Sequence, residues 1–279
     1  MIRPAPPLLG ARPEWRGGWA GWRETLYAEW TKLRTLPGTG WLLAAFAALT
    51  FGVSEAAAAG TSCPAAGCDL DPAKVSLTGV YLGQATVAVF AVLMVSGEYS
   101  TGMIRLTFAA MPRRIGVLAA KAVLAAGLTL IAGAAAVLGS VLFARLVMPG
   151  RGFTAANGYP PLSLADGAVL RAAAGSVLYL VLVALLSLGV AALVRDAAAA
   201  TGISLGLLYL SPIIAAVVTN PTWHDRLERY LPMNAGLAIQ ATRNLASLAV
   251  SPWAGLGVLA AWAGAALLSG AVLLRLRDA

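Results

Sequence analysis

Residues that carry much of enzyme chemistry are scarce in this chain. It has one histidine, His224, and two cysteines, Cys63 and Cys68, among 279 residues. An H-E-x-x-H zinc helix needs two histidines and is excluded, and two cysteines without histidine partners make a poor zinc site. No Gly-Lys pair occurs anywhere, so the chain cannot cradle nucleotide phosphates in a G-x-x-x-x-G-K-[ST] loop or hydrolyse ATP alone by that mechanism. Charge is also sparse, at 11% of residues against about 25% in soluble domains. The long apolar runs hold no paired acids of the kind that relay protons. These absences give the expectation that the chain is not an enzyme and holds no cofactor or metal of its own. His224, beside Asp225, reads as an ordinary surface histidine.

What fills the sequence instead is apolar, 59% of it. Six runs, at 41–60, 75–95, 116–147, 172–194, 197–219 and 253–274, each reach the roughly 20 residues that a helix needs to cross a hydrocarbon core. They do not alternate, which excludes a β-barrel. The fold class is therefore all-α, a six-span transmembrane bundle forming one domain over 1–279. Residues 1–39 supply a tail and an interfacial helix, and 40–279 supply the bundle. The 40 residues before the first run are too many for a signal-peptide n-region, so that run is expected to stay as a helix.

Six crossings put both termini on one face, and that face receives 13 of the 20 basic residues while the acids divide evenly. Positive charge marks the cytoplasmic side, so both termini are expected there. The formal charge of +8 then faces anionic membrane lipids rather than a nucleic acid.

Trp15, Trp19, Trp22, Leu26, Trp30 and Leu33 recur at steps of three and four, bordered by Arg16, Arg23 and Arg34. Tryptophan flanked by arginine suits a helix in the membrane interface; the alternative is a helix packed on the protein's own spans. Pro37 and Gly38 end it. Cys63 and Cys68 enclose four residues, with Pro64 and Gly67 among them, in the first outer loop, where a disulfide can close. Gln84 and Thr86 fall near the middle of the second run. They suit hydrogen bonds between helices, worth about 0.6 kcal/mol each, and a lesser reading puts them on a substrate path. Gly127, Gly133 and Gly139 suggest close helix packing, and only Arg195 and Asp196 separate the fourth and fifth runs. The moderately apolar segment 220–251, punctuated by prolines, reads as an outer re-entrant or surface helix.

The most distinctive stretch is 97–121. At helical spacing Glu98, Thr101, Gly102, Arg105 and Ala109 share one stripe, and Pro112 must stop the helix by Met111. Arg113 and Arg114 follow at once. The expectation is a short amphipathic helix starting near Glu98, which either docks a partner or lies on lipid headgroups.

Glu98, Gly102, Arg105, Pro112, Arg114 and Lys121 resemble the inner-loop motif of ABC-2 type permeases, the membrane subunits of ABC exporters. Glu29 and Lys32, in AEWTKLR, resemble the family's approach to its first span. Arg113 departs from the pattern, since many relatives have a small residue there. The resemblance implies a cytoplasmic coupling helix in which Glu98, Thr101, Gly102, Arg105, Arg113 and Arg114 meet a separate P-loop ATP-binding subunit, which holds ATP and Mg. It also implies a second permease subunit, in a homodimer, and export of an amphiphilic substrate across a prokaryotic plasma membrane. A non-transporting anchor or sensor that recruits a cytoplasmic partner is the competing expectation.

Overall fold

The computed structural model describes residues 19–63, 68–103 and 114–276. Among them there is no strand, and the helices follow the chemistry of their first residues. Helix α1 covers Trp19–Thr35, and α2, Pro37–Gly60, opens on a proline whose missing N–H is no loss in a first turn. The short α3, Pro72–Ser76, is capped by Asp71, which accepts from the Ala73 and Lys74 amides. Next come α4, Val80–Ser100, and the long α5, Arg114–Val147. Helix α6, Gly167–Val194, starts behind Asp166, and α7, Ala197–Leu205, behind Asp196; each carboxylate accepts an amide of the first turn.

Among the described residues six helices are long and apolar enough to cross a membrane, the build of a multi-pass membrane protein. The fifth of these is not uniform. Helix α7 passes through a π turn, Gly206–Leu210, into α8, Ser211–Val217. Pro212 cannot donate to the ladder, and the Ser211 hydroxyl donates instead to the Leu208 carbonyl at 2.8 Å. Two short helices follow, α9 at Pro221–Tyr230 and α10 at Pro232–Leu237, before the last span, α11, at Pro252–Leu276.

Helices α4 and α6 form the centre, with 61% and 67% of their most apolar windows buried, against 22–28% for the other spans. Helix α6 is apolar on every side and packs on α4, α5, α7 and α11. Helix α2 lies on α4 and α5, and α1 lies along α5. The two-residue turn at Arg195 and Asp196 is as tight as expected, with Arg195 in the left-handed region at φ 62°. Of the three spaced glycines, Gly133 and Gly139 meet only side chains and Gly127 meets nothing within 4 Å, so they do not mark a close backbone crossing.

Two boundaries correct the sequence reading. The second span begins at Val80 rather than 75, because Asp71 nucleates a separate helix and a turn intervenes. It also runs on through Glu98 to Ser100. Within the segment 220–251, Pro232, Met233, Ala235, Gly236 and Leu237 of α10 are buried, and α10 is seated on α11. Gly255 makes that seat possible, since a Cβ there would lie 2.0 Å from the Ala235 carbonyl oxygen. Helix α9 has no buried residue.

The face opposite α1 is held shut by one aspartate. Besides capping α3, Asp71 accepts from the Thr242 hydroxyl at 2.7 Å and the Arg243 amide at 3.0 Å, tying the first loop to the segment after α10. Arg243 also stacks over the Tyr159 ring, and the Tyr159 hydroxyl donates to the Cys68 carbonyl. Cys63 and Cys68 are joined by a disulfide, Cα–Cα 5.9 Å. Asp71→Ala removes the common acceptor of these contacts and is expected to cost about 2 kcal/mol. It should also make 241–248 cleavable by protease added to that face, which Asp71→Asn should do less. Unchanged melting and protection in Asp71→Ala would show that the clasp contributes nothing.

Candidate functional site

At the α1 end of the bundle four charged side chains meet. Glu29 and Lys32 stand at i, i+3 on α1, Glu98 lies in the last turn of α4, and Lys121 sits two turns into α5. The Lys121 ammonium donates to Glu29 Oε2 at 2.6 Å, to Glu98 Oε1 at 2.8 Å and to the Met94 carbonyl at 3.0 Å. Lys32 donates to Glu29 Oε1 at 2.7 Å and to Glu98 Oε1 at 2.9 Å. Each ammonium therefore bridges both carboxylates. Glu29 is 1% exposed, Lys121 5% and Glu98 9%.

Burial of this depth is costly for any isolated ion, and the cluster is tolerable because each charge faces two of the opposite sign. Burial works against the Lys32 ammonium, but its bonds to Glu29 and Glu98 outweigh burial and raise its pKa above the ordinary 10.5. Lys32 thus stays protonated, and its stabilising contribution is complete below the ordinary lysine value and lost only as pH climbs through the raised one. Glu98 uses Oε1 for both lysines, and its buried Oε2 has no hydrogen-bond donor among the described residues. The cluster can join three helices as a single body at the end of the bundle. Among the described residues no group of three His, Cys, Asp or Glu could hold a metal.

The expected stripe does not form as one helix. Glu98 belongs to the span, Thr101 caps it with its hydroxyl on the Gly97 carbonyl at 2.9 Å, and Gly102 turns the chain at φ 71°. The span continues past Glu98 because Lys121 on the neighbouring helix neutralises that charge inside the bundle. Arg105 and Arg113 lie outside the described residues. Arg114 opens α5 and donates to the Leu274 carbonyl at 3.3 Å, while Arg195 donates to Leu273 at 3.3 Å; both thereby serve the C-terminal end of α11.

Gln84 and Thr86 are not brought together. Gln84 is fully buried in the second turn of α4, accepting from the Tyr179 hydroxyl and donating to Met233 Sδ at 3.3 Å, so its role is to pack three helices. Thr86, two residues on, is half-buried and turned to its own backbone. His224 is engaged by the Ala215 carbonyl at 2.9 Å and by Glu228 at 3.5 Å. One motif passed over in the sequence, Gly202-Ile203-Ser204-Leu205-Gly206, fits the G-x-S-x-G pattern. A nucleophile elbow needs a strand-to-helix turn that exposes its serine, whereas Ser204 is wholly buried within α7.

Glu29 is the residue that sequence reading undervalued. The signal was Lys121, a cation inside a long apolar run, which demands a buried counter-charge. No family model matches the chain, and no curated protein matches it.

Proposed function

We propose that this chain is the permease subunit of an ATP-driven exporter of the ABC-2 type, acting in a prokaryotic plasma membrane with both termini in the cytoplasm. Hydrolysis belongs to a separate P-loop subunit that holds ATP and Mg, and a second permease copy completes the path for an amphiphilic substrate. The observation that supports this most is the ion cluster, placed at the end of α4 immediately before the segment 102–113 that resembles a coupling loop.

The mechanism follows from that placement. A partner pressing on the loop moves the end of α4 that carries Glu98. Glu98 is bound to Lys121 of α5 and, through Lys32, to α1, so the three helices move together rather than one bending alone. Pulling a buried pair apart would leave an uncompensated charge, costing about 3–5 kcal/mol. The cluster is therefore stiff on the scale of the forces that a docked ATPase supplies. Charged contacts at such an interface are worth several kcal/mol when desolvated and little when exposed, which makes Arg105 the informative position in the loop.

The test is reconstitution of the chain with the P-loop ATPase that copurifies with it, reading amphiphile transport and hydrolysis together. Arg105→Ala lies outside the cluster and is expected to keep the chain folded while reducing transport roughly tenfold or more. Glu98→Gln, which keeps the shape but not the charge, is expected to uncouple hydrolysis from transport. Wild-type transport in both variants would return the loop to the membrane surface and leave the anchor or sensor reading.

A further inference from the structure

Helix α1 turns one side to the bundle and leaves another bare. Glu29 and Leu33 are buried, and Trp22, Leu26 and Lys32 are half-buried beside them. Most of the tryptophan and leucine stripe seen in the sequence is therefore spent on the protein's own spans. On the side turned away, Arg23, Tyr27, Trp30 and Arg34 are all exposed, Tyr27 by 73% and Trp30 by 42%. They stand at i, i+4, i+7 and i+11, which at about 100° per residue gathers them within about 60° of arc.

Charge selects what this face can meet. Arg23 and Arg34 form no ion pair among the described residues, and no acid lies between them on the stripe. Glu24, the exposed acid of α1, stands about 100° round the helix from Arg23. A cation at each end with two aromatic rings between them fits a layer of anionic headgroups, where guanidinium groups bind phosphate and amphipathic rings settle at headgroup level. The position of α1 makes that layer its neighbour. Leu36 alone separates α1 from α2, and Glu29 is tied to Lys121 within another span. Leu36 at this corner is 58% exposed, and Trp41 in the second turn of α2 is 77% exposed. Both need lipid cover, so the bilayer surface reaches the level of α1, and lipid rather than a soluble protein meets the stripe.

We propose that the face of α1 formed by Arg23, Tyr27, Trp30 and Arg34 binds the headgroups of anionic phospholipids in the leaflet beside the ion cluster. The two arginines donate to lipid phosphates, and Tyr27 and Trp30 lie among the headgroups. Glu29 and Lys32 hold another side of the same helix, so anionic lipid and the cluster clamp α1 from two directions. Phosphatidylcholine carries its phosphate beside a cation, whereas phosphatidylglycerol has a net negative charge. Comparing the two isolates the charge.

The experiment uses the full chain in nanodiscs of equimolar phosphatidylcholine and phosphatidylglycerol, and it needs no ATPase, so its outcome is independent of the exporter reading. A photoreactive benzoylphenylalanine replaces Tyr27, whose exposure leaves the packing of α1 untouched, and irradiated chains are weighed by mass spectrometry. Attraction of one basic residue to an anionic surface is worth about fivefold in occupancy. Phosphatidylglycerol adducts should therefore outnumber phosphatidylcholine adducts at least fivefold.

Arg23→Gln combined with Arg34→Gln should bring the two adducts close to parity, and both positions are exposed, so the variant keeps the fold. The same probe in place of Trp253, which is 59% exposed in the first turn of α11 at the other end of the bundle, should give near parity from the start. Equal adducts at position 27, a preference that survives loss of both arginines, or an equal preference at position 253 would each overturn the assignment. So would adducts at position 27 to a second protein chain in place of lipid, or no adduct there at all.

Discussion

Replacing Lys121 by methionine is expected to destabilise the folded chain by about 3–5 kcal/mol, because it removes one partner of a buried ion cluster and leaves the others. Methionine keeps much of the volume of the side chain but none of its three contacts, to Glu29, to Glu98 and to the Met94 carbonyl. Glu29 is 1% exposed and cannot turn to water. The damage should be local first: α1 is joined to α5 through this pair, and protease should reach the α1–α2 turn before the spans unfold. Thermal unfolding in a mild detergent gives the size of the effect, and Glu29→Gln with Lys121→Met gives its cause. Removing an acid and a base together restores neutrality, so the double variant should recover more than half of the loss. If it is as unstable as the single variant, packing rather than charge holds α1 in place. Salt should change wild-type melting little, since buried pairs are screened far less than exposed ones. The same reasoning makes Glu98→Ala a poor probe of coupling, because it strips Lys121 and Lys32 of a shared acceptor.

Why the sequence disclosed some of this and not the rest can be traced to individual residues. The six spans were readable because lipid demands about 20 apolar residues per crossing and nothing else in the chain imitates such runs. The disulfide and the turn at Arg195–Asp196 were readable because both are local. The ends of α4 were not. Asp71 converts the start of the second apolar run into a separate capped helix, and its other acceptor contacts come from Thr242 and Arg243, 171 and 172 positions away. At the other end Glu98 looked like the first polar residue beyond the membrane, because the cation that lets it stay inside the span lies on α5. Periodicity then carried the stripe through Gly102, where the backbone in fact turns at φ 71°. Of the cluster's contacts only Glu29–Lys32, at i, i+3, is visible in the sequence; the others span 23, 66 and 92 positions.

A second large effect is expected at the opposite end of α4, from a methyl group. A Cβ on Gly79 would lie 1.7 Å from the carbonyl oxygen of Thr50 and 2.7 Å from Ser54 Oγ, and one on Gly83 would lie 2.0 Å from Thr50 Oγ1. These two glycines, four apart, form the small-residue face that lets the α4 end of the chain approach α2 closely, and the Gly79 amide donates to Ser54 Oγ at 2.9 Å. The atom that a Gly79→Ala methyl would strike is backbone, so no rotamer change relieves the contact and the two helices must separate. The expected cost is about 3 kcal/mol, at the upper end of ordinary overpacking. Gly127→Ala is the matched control: its Cβ meets nothing within 4 Å, and alanine is favoured over glycine within a helix by about 1 kcal/mol. That variant should melt at or above the wild-type temperature. The separation in Gly79→Ala should also travel, because Gly79 is the N-cap of α4 and Glu98 lies in the last turn of the same helix. Displacing one end of a rigid helix shifts the other against Lys121, so Gly79→Ala should sensitise the α1–α2 turn to protease as well. Equal melting of Gly79→Ala and Gly127→Ala would mean that α2 and α4 do not cross this closely, and the mechanical link between the two faces would fail with that contact.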